Sequence, residues 1–105
     1  MQGVASAFRR EASFRIELLL GAAALLFTAW LSPPPLWVAL VVIMIALVLA
    51  AELLNTALEQ ILDGLHPGQA EFVRIAKDCA AAAVLVFSVA SVAVFGLMLL
   101  DVLKY

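Results

Sequence analysis

Four polar side chains in a hydrophobic chain are spaced for chemistry. Glu52, Asn55, Glu59 and Asp63 follow one another at intervals of three, four and four residues. On a helix turning 100° per residue they fall within an arc of about 80°. Thr56 lies at the edge of that arc, and Leu53, Leu54, Leu58 and Ile61 occupy the other side. Carboxylates in such a file can hold a divalent cation, and a carboxylate at a membrane boundary can act as a base. Lys77 offers positive charge for a phosphate, with Arg74 one turn before it and Asp78 beside it. Glu11 precedes Arg15 by four residues, on one helix face. Phosphoryl transfer asks for this combination: positive charge near the moving group and a base for the incoming hydroxyl. The spacing also admits transport through a carboxylate, or helix assembly by polar pairing. No GxxxxGK[ST] loop and no Gly-rich kinase loop is present, so a nucleotide would be held in another way.

The elements that must carry these residues follow from composition. Of 105 residues, 67% are hydrophobic and 13% charged. That is too few polar residues to cover a soluble chain, and the apolar ones come in long blocks suited to a bilayer. The formal net charge of −2 and the lack of a basic patch argue against a nucleic-acid partner. Cys79, the single cysteine, has no internal disulfide partner and is expected to be a small buried side chain, with a reactive thiol as the alternative. His66, before Pro67, reads as a loop residue.

The pattern predicts an all-α membrane protein with three transmembrane helices and a short N-terminal amphipathic helix. The lead-in helix covers about 2–17, and the spans about 16–31, 36–54 and 79–101. Glu11 and Glu17 interrupt the approach to the first span, which argues that it is retained rather than cleaved. Ser32-Pro33-Pro34-Pro35 makes a stiff turn, flanked by Trp30 and Trp37 at one interface. The second helix keeps its period to about Asp63, and a second short amphipathic stretch from about Gln69 to Asp78 precedes the third span. Arg9, Arg10, Arg15, Arg74 and Lys77 flank the spans on one side, so the N-terminus is expected to be cytoplasmic and the C-terminus outside. Glu52 is then about 24 Å along its helix from Leu36, just inside the cytoplasmic edge. A lipid alcohol would meet ATP at this depth. Three spans enclose a site poorly, so an oligomer is expected.

The same residues carry a resemblance. Glu11-Ala12-Ser13-Phe14-Arg15-Ile16-Glu17, then Glu52-Leu53-Leu54-Asn55-Thr56-Ala57-Leu58-Glu59 with Asp63, then Ala76-Lys77-Asp78 before an alanine-rich span resemble the bacterial integral-membrane diacylglycerol kinases and the related undecaprenol kinases. The likeness covers nearly the whole chain. It implies a homotrimer in the bacterial inner membrane, with sites shared between subunits, that transfers the γ-phosphoryl group of MgATP to a lipid hydroxyl. Carried over by motif, Glu52 resembles the general base and Asn55 an active-site amide near the transferring group. Glu11 and Glu59 resemble the Mg²⁺-binding carboxylates, and Lys77 the residue that contacts the phosphates. Arg15, Glu17, Asp63 and Asp78 match further polar positions around the nucleotide. The family's surface helix is longer, Arg74 is displaced by one from the expected basic position, and Ala80 stands where the family often has Gly.

The acceptor implied is diacylglycerol, because Glu17 resembles that branch and the undecaprenol branch often has His there. Undecaprenol is the alternative. A small proton-coupled transporter is a second alternative, although such proteins are expected to have four spans and an early glutamate.

Overall fold

The computed structural model describes residues 12–65, 68 and 70–104. Three α-helices account for nearly all of them: α1 (Ala12–Leu31), α2 (Pro35–Leu65) and α3 (Glu71–Leu103). All three are long and apolar enough to cross a membrane. No strand occurs among the described residues. The part of the expected lead-in helix before Ala12 lies outside the described residues.

The turn between α1 and α2 is set by local chemistry. Ser32 adopts φ 51°, and its N–H donates to the carbonyls of Thr28 and Ala29 at 3.1 and 3.2 Å. This left-handed residue closes the helix in the manner of a C-terminal cap, here without the usual glycine. The serine hydroxyl adds a 3.1 Å bond to the Ala29 carbonyl. The prolines then prevent the helix from continuing, and Pro35 occupies the first turn of α2, where a missing N–H is harmless.

α2 has 31 residues and α3 has 33, about 46 and 50 Å at the standard rise. Both exceed a hydrocarbon core of about 30 Å, so each projects beyond it. The amphipathic stretch and the third span are one continuous helix: α3 runs through from Glu71. Nothing between Glu71 and Leu103 breaks a helix except Gly96, and a lone glycine costs too little to stop one. Ala70, in an extended conformation, accepts from the N–H groups of Val73 and Arg74 at the start.

α2 packs against both neighbours, most extensively against α3. Gly21 lets α1 approach closely: a Cβ there would stand 2.9 Å from Cγ2 of Ile45. Phe14, Val41, Ala51, Val73 and Met98 are buried between helices. Thr28 is also buried and satisfies its hydroxyl on the Ala24 carbonyl at 2.7 Å. Leu19, Leu26 and Leu100 stand out from the bundle, as side chains facing lipid should. Cys79 lies on this outer surface as well, contrary to the burial expected of it. A span has apolar residues on every side, so apolar neighbours in sequence do not mark an inward face.

At the end where α2 begins, the Trp37 indole N–H donates to Asp101 Oδ2 at 2.8 Å. This ties the start of α2 to the end of α3. Phe27 lies 5.8 Å from Trp30 and 5.9 Å from Phe95, centroid to centroid, joining α1 to α3 near the same end.

Candidate active site

The polar file lies along the distal half of α2. Glu52, its deepest member, is 6% exposed. Its neighbour is another acid: the Glu17 carboxyl, from α1, lies within hydrogen-bonding reach of the Glu52 carboxyl. Two like charges so placed repel, and a bridging proton or a cation relieves the repulsion. The second oxygen of Glu17, Oε2, is buried without a partner among the described residues.

One turn beyond Glu52, Asn55 donates from Nδ2 to Glu59 Oε1 at 2.9 Å. This bond orients the Glu59 carboxylate and leaves Asn55 Oδ1 buried without a partner. At the end of α2, Lys77 Nζ donates to Asp63 Oδ1 at 2.7 Å. Asp78 and Arg74 pair loosely at 3.9 Å, and Arg74 and Glu71 at 3.7 Å, all largely exposed. Arg15 is exposed near the start of α1.

The structure therefore sorts the anticipated residues into three levels. Glu17 and Glu52 form the innermost. Asn55 and Glu59 form the next. Asp63, Lys77 and Asp78 form the outermost, with Asp63 about 16 Å from Glu52 along α2. Glu11 lies outside the described residues. Among the described residues no three His, Cys, Asp or Glu side chains converge as a metal cluster.

A groove of about 370 Å³ opens between the three helices and ends at Glu17. Its walls are mostly apolar, from Leu20, Met44, Ile45, Val48, Val92 and Phe95. An amphiphile lying here would bring its polar end to the carboxyl pair. Sequence reasoning did not foresee the Glu17–Glu52 contact. The signal was the antiparallel order of the first two spans, which sets residue 17 opposite the stretch around residues 49–52.

Comparison with known proteins places this geometry. Residues 1–99 match the prokaryotic diacylglycerol kinase family. The chain belongs to this family. It is 43% identical over 100 residues to a diacylglycerol kinase of Synechocystis, covering 93% of this chain and 57% of that protein. It is 34% identical over 86 residues to a diacylglycerol kinase of Haemophilus influenzae, covering 82% of this chain and 73% of that protein. The chain thus spans less than two thirds of the Synechocystis relative's length. The prokaryotic diacylglycerol kinase match reaches from before α1 into the last turns of α3, so it takes in every level of the polar file.

Proposed function

We propose that this chain is a lipid kinase that transfers the γ-phosphoryl group of ATP to the hydroxyl of diacylglycerol, giving phosphatidic acid. The observation that carries this reading is the placement of Glu52. It is buried beside Glu17, whose side chain lines the end of a groove for an apolar tail, while Lys77 lies farther out on the same side. A lipid alcohol can approach from the groove and a nucleotide from the aqueous end. The names of the family and of its relatives in Synechocystis and Haemophilus supply the substrate class.

In this reading Glu52 takes the proton of the lipid hydroxyl as it attacks phosphorus. Glu17 holds the Glu52 carboxyl from across the helix interface and so sets where the base stands. Asn55 fixes the carboxylate of Glu59 through the 2.9 Å bond. Lys77 exchanges Asp63 for a phosphate oxygen, a partner of greater charge. Arg15, Asp63 and Asp78 edge the nucleotide. The chemistry calls for Mg²⁺, and the side chains present suit it. The Glu59 carboxylate and the unpartnered Asn55 Oδ1 are hard oxygen donors. Glu59 and Glu11 would hold the ion, which when bound would neutralise charge on the phosphoryl oxygens.

The active form is proposed to be a homotrimer in the bacterial inner membrane, with the N-terminus and site cytoplasmic. An apolar hollow beside Asn55, formed by Leu47, Leu54, Leu58, Ala83 and Phe87, supports a neighbouring copy at this face. The test is transfer from radiolabelled ATP to diacylglycerol and to undecaprenol by the purified chain in mixed micelles with Mg²⁺. Labelled phosphatidic acid is expected. Labelling of undecaprenol alone would move the assignment to the prenol, and labelling of neither would overturn the kinase reading.

A further inference from the structure

The groove contains a polar group that the proposed chemistry does not use. Ser88 and Ser91 of α3 both line it. The Lys77–Asp63 and Trp37–Asp101 contacts fix the antiparallel register of α2 and α3. That register sets Ser88 level with Glu52 and Ser91 about one turn deeper, level with Leu49. The end of the groove therefore has Glu17, with Glu52 behind it, on one wall and a hydroxyl on the other.

The two serines differ in what their hydroxyls do. Ser91 donates to the Ser88 carbonyl at 2.7 Å, as Thr28 donates to Ala24. Such bonds within a helix are how hydroxyls are satisfied where water is scarce. The Ser88 hydroxyl makes no such bond among the described residues. It is a donor left open beside an apolar groove, where an unmade hydrogen bond is costly.

We propose that Ser88 is a specificity residue for the acceptor lipid, donating a hydrogen bond to an ester carbonyl of a glycerolipid in the groove. The inference rests on the kinase reading above. In a 1,2-diacylglycerol the carbon bearing the free hydroxyl adjoins a carbon bearing an ester. A hydroxyl poised at Glu52 therefore places an ester carbonyl close by, and Ser88 is the donor at that level. An ether lipid or a prenyl alcohol of similar bulk has no carbonyl there and leaves Ser88 unpaired. Discrimination comes from that unmet donor as much as from the bond itself. The ester is not a reacting group, so its contribution should fall on KM more than on kcat.

The experiment uses the full chain in detergent micelles with MgATP. Two acceptors are compared: 1,2-dioleoylglycerol and its diether analogue, which has the same hydroxyl and chains but no carbonyl. The unaltered chain should favour the diester in kcat/KM. Ser88→Ala should reduce the diester-to-diether ratio roughly three- to tenfold, the worth of one neutral hydrogen bond. The change should lie in KM for the diester. Ser88→Thr, which restores a hydroxyl, should recover most of the ratio. An unchanged ratio in Ser88→Ala would overturn the proposal while leaving the kinase reading intact. Equal losses with both lipids, or an altered oligomeric state, would assign Ser88 to packing against a neighbouring helix and also overturn it. Failure of the unaltered chain to phosphorylate either glycerolipid would instead remove the kinase reading.

Discussion

Gly21→Ala tests whether the close approach of α1 to α2 sets the base. An added Cβ would stand 2.9 Å from Ile45 Cγ2, whereas ordinary contact begins at 3.4 Å, so 3.4 − 2.9 = 0.5 Å must be found. Ile45 cannot easily supply it, because a β-branched side chain on a helix has one strongly preferred rotamer. The helices must part instead. Overpacking of this kind costs about 1–3 kcal/mol, offset by the roughly 0.8–1.0 kcal/mol by which alanine exceeds glycine in a helix. The net change should be a destabilisation of about 0–2 kcal/mol. Function should suffer more. Gly21 is one turn from Glu17, so the displacement reaches the Glu17–Glu52 contact. A 1 Å misplacement can cost about a hundredfold in rate, so half an ångström is expected to cost on the order of tenfold. The assay pairs initial kinase rate with SDS-induced unfolding of the same micellar sample. Ile45→Ala removes the clashing Cγ2, so the double variant Gly21→Ala/Ile45→Ala should be more stable than the two single effects together predict, by about 1–3 kcal/mol. Unchanged rate and stability in Gly21→Ala, or strict additivity in the cycle, would refute the argument.

Other residues give sharper chemical tests. Glu52→Gln should keep the helical fold by circular dichroism yet lose about 10²–10⁴-fold in phosphoryl transfer, the usual worth of a general base. Glu59→Gln should raise the Mg²⁺ concentration needed for half-maximal rate, and Asn55→Ala should do so more weakly, as read from a metal titration at fixed ATP. Lys77→Ala should raise KM for ATP by about tenfold or more, since charge-assisted hydrogen bonds are worth about 1.5–3 kcal/mol. Its effect on stability should stay within about 1 kcal/mol, because the Asp63 partner is exposed. Trp37→Phe removes the N–H that holds Asp101. It should lower resistance to SDS unfolding by about 0.5–1.5 kcal/mol with little change in rate, since this contact is at the opposite end from Glu52.

Several features of this protein were settled by the chain alone. The apolar blocks and the Ser32–Pro35 turn specify three spans, because a bilayer demands continuous apolar helices and consecutive prolines end them. The spacing of Glu52, Asn55, Glu59 and Asp63 puts them on one face, since helical geometry is local. The motif from Glu52 to Glu59 suffices to indicate the family. Tertiary structure decided the rest. The 33 residues of α3 form one helix because no breaker outweighs its continuing hydrogen bonds, a point hidden by the change from polar to apolar composition at residue 79. Lys77 meets Asp63, and Trp37 meets Asp101 across 64 residues, only once α2 and α3 pack in their particular register. Cys79 faces outward because helix rotation, not hydrophobicity, sets direction in a span. Glu52, the residue most able to do chemistry by its place in the sequence, lies against Glu17 only because Gly21 lets two helices close on one another.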